Sequence, residues 1–264
     1  MKIAIIGAGA MGGALARGIV ASGAEIPQGA CDINVSNPSP GKLEPLAALG
    51  MRTSASNVEA VKGADVVILC VKPWLVEQVI AEVKPHIDYA SAEVAVVAAG
   101  IPTATLAQWL EKPGEADALP QFCIEMPNTA VSQRESMTFQ VNGKGECRAS
   151  LSLFSRLGEA MVIEERLLPA ATSLASCGIA YAMRYVRAAM EGGVELGFRA
   201  QLAQEIIVQT LRGAVSLLAQ PGSHPESEID KVTTPGGITI RGLNAMEHSG
   251  FTSAVINGLK ASTK

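Results

Sequence analysis

Two short stretches, one at each end of the chain, carry residue types suited to holding anions. Residues 233–239 read Thr-Thr-Pro-Gly-Gly-Ile-Thr, immediately before the helical spacing Ile238, Leu243 and Met246. Pro235 suits a first-turn position, since it lacks the amide that would be orphaned there, and Gly236 and Gly237 let a ligand approach bare N–H groups at the positive end of a helix. The Thr234 and Thr239 hydroxyls add donors, so a small carboxylate fits this mouth. At the other end, Gly7, Gly9 and Gly12 follow a short apolar run and precede a helix-like run of small residues. That spacing and context suit a dinucleotide: the first glycine makes the tight turn, the second admits the pyrophosphate, and the third lets helix pack on strand.

The elements that must position these residues fall into two regions. Over 1–163, strand-like runs at 2–7, 33–36, 65–70 and 94–98 alternate with helix-like runs at 11–22, 41–49, 74–83 and 103–110, and further strand-like runs follow near Phe122 and at 137–141. Such a rhythm predicts crossover connections and a mostly parallel sheet. After Ile163 the alternation stops. Helical patterns at 166–196, 201–219 and 238–259, the last broken at Gly250, predict an all-helical region, so the domains divide into 1–163 and 164–264.

The strand ends nominate further site residues. Asp32 has the usual spacing from Gly12 for an acidic ribose ligand, yet it precedes the second strand instead of closing it. The strand end offers neutral Ser36, Asn37 and Ser39, with Lys42 nearby. These groups accommodate a 2′-phosphate, so NADP is favoured and NADPH is expected to be preferred over a still usable NADH. Cys70, Val71, Lys72 and Pro73 close the next buried strand, and Ala98 and Ala99 the one after. Asn128, in Met-Pro-Asn-Thr, could present its amide to a nicotinamide or a substrate. Tyr181, Met183 and Tyr185 form an apolar helical stripe expected to be core. His86, His224 and His248 stand apart with no ligand spacing, so neither a metal site nor histidine acid–base chemistry is expected.

Composition excludes other classes. In 264 residues, 48% hydrophobic, a net charge of −4 gives no basic field for nucleic acid. Cys31, Cys70, Cys123, Cys147 and Cys177 are scattered and odd in number, which points to a reducing cytoplasm and away from a disulfide framework. Lys2 and the apolar run after it imitate a leader peptide, but the glycine fingerprint falls inside that run. The segment 167–186 contains one charge, Arg184; Pro169, Thr172, Ser173, Ser176 and Gly178 dilute it, so it is expected at an interface and not in a membrane.

Taken together in order along the whole chain, the Gly7–Gly12 opening, Val71-Lys72-Pro73, Ala98-Ala99-Gly100, Met126-Pro127-Asn128-Thr129 and above all residues 230–239 resemble pyrroline-5-carboxylate reductase. The resemblance implies a Rossmann-type domain followed by an interlocking helical domain, assembled as a homodimer and in many members a decamer. It also implies the last step of proline biosynthesis, NAD(P)H reduction of L-Δ1-pyrroline-5-carboxylate to L-proline. By the same resemblance the cofactor meets Ala8, Gly9, Ala10, Met11, Ser36, Asn37, Asn57, residues 70–73, Ala98 and Ala99. The substrate meets Thr234, Gly236, Gly237, Thr239 and the segment around Cys177. Thr239 is the group expected to donate to the ring nitrogen. The chain departs from the family's usual pattern at Ala10, Ile124, Ala175, Cys177, Ile179 and Glu228. Two other readings are a 3-hydroxyacid type of dehydrogenase, which calls for a lysine that 167–186 lacks, and a non-catalytic NADP-responsive binding protein.

Overall fold

A strand with apolar side chains on both faces must be covered on both, and the first strand shows why. In β1 (Lys2–Ile6) the side chains of Ala4 and Ile6 enter one core while Ile3 and Ile5 enter another. The computed structural model describes residues 1–23, 32–114 and 118–263, and compactness divides it into Met1–Ser176 and Cys177–Lys264.

The first unit holds β1, β2 (Asp32–Ser36), β3 (Arg52–Ser54), β4 (Val66–Leu69), β5 (Glu93–Val96), β6 (Gln121–Met126), β7 (Ser136–Lys144) and β8 (Gly158–Val162). They form one sheet in the order β3-β2-β1-β4-β5-β6-β7-β8, parallel throughout except where β6 meets β7. Helices α1 (Ala10–Ala21), α2 (Pro40–Ala47) and α6 (Arg148–Ser155) cover one face through Leu15, Ile19, Leu46 and Phe154. On the other face, α3 (Asn57–Val61), α4 (Val76–Val83) and α5 (Thr103–Leu110) pack through Val61, Val76, Ile80 and Leu106. Each such fully buried aliphatic side chain contributes about 1.5–3 kcal/mol.

Sequence periodicity did not reveal β3, α3, α6 or β8. β3 has three residues, Arg-Thr-Ser, too few and too polar to show an alternation. The expected continuous helix at 166–196 is also interrupted. A 3₁₀ turn at Glu165–Leu167 leads into α7 (Leu168–Ala171), then a wide π turn at Thr172–Cys177, then α8 (Gly178–Glu195). Thr172 Oγ1 donates back to the Leu168 carbonyl at 2.7 Å, and the Asn128 amide donates to the Ala175 carbonyl at 3.3 Å, taking up an acceptor in the widened turn. Residues 165–176 are fastened to the sheet unit in other ways too. The Glu165 carboxylate accepts the Thr103 amide at 2.8 Å, so it caps α5, and Leu168 packs against the sheet core.

A buried acid sits in β6. Glu125 is fully enclosed, and its Oε1 accepts the Ser150 hydroxyl at 2.7 Å. Loss of solvation pushes its carboxyl up to about 8, although the Ser150 and Cys123 contacts work the other way. Its Oε2 and the Oε1 of Gln140, its partner across the antiparallel register, both lack a hydrogen-bond partner among the described residues.

The second unit contains α8, α9 (Ala200–Leu218), α10 (Pro225–Val232), α11 (Ile238–His248) and α12 (Phe251–Ala261). Helix α10 was not foreseen, because its sequence, PESEIDKV, is mostly charged. α8 and α9 meet where Gly193 faces Ala203, a Cβ on Gly193 lying 3.0 Å from that of Ala203. The Tyr181 hydroxyl ties α8 to α12 through the Gly258 carbonyl at 3.2 Å. Ala203 is the sole buried residue among the described residues of this unit. The stripe of Tyr181, Met183 and Tyr185, expected to be core, is exposed, with Met183 at 66%. A helical period identifies an apolar face but does not say whether the same chain covers it. Among the described residues, no helix is long and apolar enough to cross a membrane.

Candidate functional site

The strand order reverses at β1, and the carboxyl ends of β1, β2, β4 and β5 open there into a cleft of about 600 Å³. This is the place where open α/β sheets bind ligands. The three glycines have three different surroundings. Gly7 has φ +101°, donates its N–H to the Ser36 carbonyl at 2.8 Å, and would put a Cβ 2.6 Å from the Cys70 carbonyl oxygen. At Gly12 a Cβ would fall 1.9 Å from the Gly7 carbonyl, so this position lets α1 lie against the turn. Gly9, the N-cap of α1, has no atom within 4 Å of that position. Its open space and the α1 amides behind it fit a pyrophosphate.

Gly7, Gly9, Ala10, Met11, Ser36, Asn37, Asn57, Cys70, Val71, Lys72, Pro73, Ala98 and Ala99 all line the cleft. Three expected residues do not. Ala8 turns its N–H to the Asn37 side chain at 3.1 Å, Gly12 serves packing, and Ser39 precedes α2, where its carbonyl accepts the Asn37 amide at 3.3 Å. Asp32 opens β2 at the far edge, beside Lys2 in register, and is ion-paired with Arg52. It therefore has no access to the cleft at the strand's other end. Burial pushes the Cys70 thiol up to about 12, so it is a neutral wall and no nucleophile.

The sequence reading missed Pro38, Leu75, Gln78, Val79 and Glu82, which also line the cleft. Most of them come from α4 and the turn before it. The signal available was the exposed polar face of α4, Gln78 and Glu82 one turn apart, but nothing in the sequence ties that face to β2. The structure does so: the Ser36 hydroxyl donates to Asn57 Oδ1 at 2.7 Å, and the Asn57 amide donates to Glu82 Oε2 at 2.9 Å.

Asn128 is buried with its amide engaged internally. Its Oδ1 caps the 3₁₀ turn Thr129–Gln133 through the Ala130 N–H at 3.0 Å, and its Nδ2 holds Ala175. The residue shapes the loop after β6. Among the described residues no cluster of His, Cys, Asp or Glu could hold a metal ion. Cys70, Cys123, Cys147 and Cys177 are free thiols, and Cys31 lies outside the described residues.

In the helical unit, the loop before α11 is a turn and not the first turn of the helix. Gly237 N–H bonds to the Thr234 carbonyl at 2.9 Å, with Pro235 and Gly236, φ +71°, at its corners. That is a type II turn, in which proline fixes the first corner and the second needs a left-handed residue. Pro235 thus stands outside α11, whose N-cap is Gly237. A Cβ on Gly237 would lie 2.5 Å from Thr234 Oγ1, so glycine lets the Thr234 hydroxyl sit against the helix mouth. Among the described residues no side chain caps the first amides of α11, and Thr234 and Thr239 are exposed. Cys177, half-buried, ends the π turn.

Residues 165–264 match the family described as pyrroline-5-carboxylate reductase dimerisation, and residues 2–102 match the family described as NADP oxidoreductase coenzyme F420-dependent. Over 280 residues the chain is 35% identical to pyrroline-5-carboxylate reductase 2 of Dictyostelium discoideum, covering 100% of this chain and 91% of that one. The chain belongs to the pyrroline-5-carboxylate reductase family. Pyrroline-5-carboxylate reductase 1 of the same organism is 36% identical over 99% of this chain, which spans 48% of that longer relative. Among solved structures, the Plasmodium falciparum pyrroline carboxylate reductase with NADP bound shares the fold at a TM-score of 0.84 and 23% identity, covering 100% of this chain and 95% of that one. Membership in a family described by a dimerisation region agrees with the uncovered apolar faces of the helical unit, which require self-association.

Proposed function

We propose that this chain reduces L-Δ1-pyrroline-5-carboxylate to L-proline with NADPH. The observation that carries the reading is the pairing, in one chain of this family, of a glycine-cradled cleft at the sheet's reversal point with a threonine- and glycine-built helix mouth. Gly9, the α1 amides, Ser36 and Asn37 would hold the dinucleotide, which supplies hydride to the imine carbon when bound. The helix mouth does the rest. The Thr234 hydroxyl and the Gly236 amide hold the substrate carboxylate, Gly237 serves by keeping the turn and the close approach of Thr234, and the Thr239 hydroxyl donates a hydrogen bond to the ring nitrogen, relaying to it a proton that water replaces. No covalent nucleophile is needed, so orientation and charge placement supply the rate. Cys177 and Asn128 belong to this reading as substrate-side groups, Cys177 by its place in the segment leading into α8 and Asn128 by shaping the Ala175 loop.

Residues 1–163 serve the dinucleotide in this proposal, and 164–264 serve substrate binding and assembly as a homodimer, with a decamer as the larger form. Free thiols fit a reducing cytoplasm. A lysine-dependent 3-hydroxyacid reaction has little support, because α8 contains no lysine. The test is to mix the purified protein with NADPH and pyrroline-5-carboxylate and follow nicotinamide oxidation together with proline formation. Oxidation matched by proline is expected, with kcat/KM higher for NADPH than for NADH. Oxidation without proline, or neither, defeats the proposal.

A further inference from the structure

Cofactor choice is set where β2 ends, since there an adenosine ribose carries either a 2′-hydroxyl or a 2′-phosphate. Ser36 closes β2, and from it a relay runs through Asn57 to the Glu82 carboxylate, all three lining the same cleft. We propose that Glu82, held by Asn57, is the residue that limits discrimination in favour of the 2′-phosphate and keeps NADH usable. This inference rests on the dinucleotide reading of the cleft.

Hydrogen-bond direction and charge decide what this corner accepts. A carboxylate only accepts, so the Asn57 amide nitrogen must face Glu82 and its oxygen must face Ser36. The Ser36 hydroxyl, fully buried, commits its proton to Asn57, and half-buried Asn57 and exposed Glu82 carry the accepting, negative end of the relay into the cleft. A ribose 2′-hydroxyl can donate to the Glu82 carboxylate. A 2′-phosphate has only acceptor oxygens and would bring its own negative charge toward Glu82. Lys42, lining the same cleft, supplies the opposing charge that still admits the phosphate.

Replacing Glu82 with glutamine removes the negative charge from the cleft end of the relay and supplies a donor there. The new amide is neutral, so it no longer repels a 2′-phosphate, and its N–H groups can donate to one. Glu82 is exposed on α4, so the change leaves the core untouched.

In Glu82→Gln the ratio of kcat/KM for NADPH over NADH is expected to rise about tenfold, the change residing in KM for NADPH. Titration of 2′,5′-ADP and 5′-AMP, which needs no imine substrate, is expected to show the first binding more tightly than in the parent chain and the second no more tightly. Ratios within twofold of the parent in both measurements overturn the role of Glu82. Failure of the parent chain to make proline, with fragment binding intact, overturns the proposed reaction and leaves the fragment titration to decide on Glu82. If neither fragment binds the parent, both fall.

Discussion

The two units of this chain bury their apolar residues in opposite ways. Met1–Ser176 encloses two cores, one on each face of its sheet, and even seals in the carboxyl of Glu125. Cys177–Lys264 has helices with clear apolar faces but buries only Ala203 among its described residues, and leaves Tyr181, Tyr185, Met246, Phe251 and Val255 lining an open groove. The first set of residues is complete as a folding instruction for one chain. The second makes physical sense only when another copy covers it.

The strongest way to break this contrast is to charge the uncovered face. Met183→Glu is expected to weaken self-association by about 10²-fold or more, roughly 3 kcal/mol, read by light scattering across a dilution series. An unchanged oligomer would mean that the α8 face is not an interface. In the sheet unit the fingerprint glycines offer a matched pair. Gly12→Ala is expected to cost about 3 kcal/mol of unfolding free energy through overpacking, whereas Gly9→Ala should stay within about 0.5 kcal/mol and lose nucleotide affinity. Denaturant titration with and without NADP separates the two, and equal stability losses would show that the open space at Gly9 is not a ligand's.

Thr239→Val probes the helical unit's chemistry. Its kcat is expected to fall about 10²-fold while NADP affinity holds, as befits loss of one hydrogen-bond donor to the reacting group. Wild-type kcat across neutral and alkaline pH would remove Thr239 from the proton step. An effect spread over several pH units concerns Glu125, whose carboxyl is raised from 4.5 to about 8. The folded state keeps the proton longer than the unfolded chain, so stability contributed at acid pH is lost as pH rises from about 4.5 and is gone above about 8. Its slope is at most about 1.4 kcal/mol per pH unit. Glu125→Gln, which supplies a permanent donor toward the unpartnered Gln140 oxygen, is expected to flatten unfolding free energy across that window. An unaltered pH slope would show that Glu125 does not hold the proton.

How much could be read in advance follows from the range of each signal. The Gly7–Gly12 turn and the strand ends at Ser36, Cys70 and Ala98 were legible because each rule spans a few residues. The Ser36–Asn57–Glu82 corner was not, for β2, α3 and α4 supply one residue each and only the crossovers bring them together. At 233–239 the residue types were legible and the geometry was not, since proline suits both a helix start and the first corner of a type II turn, and only Gly236 φ settles which. The apolar period of α8 was visible as well, but a period carries no information about the identity of the chain that covers it.

That Ala203 alone is buried among the described residues of the helical unit has a consequence in time. The chain is made from its N-terminus, so the sheet unit can close its cores while the last helices are still being synthesised. Those helices then have no core of their own to collapse onto, and their final ordering is a second-order event between two finished chains. After dilution from denaturant, the sheet should recover at a rate independent of protein concentration, while activity should return in proportion to how often two chains meet.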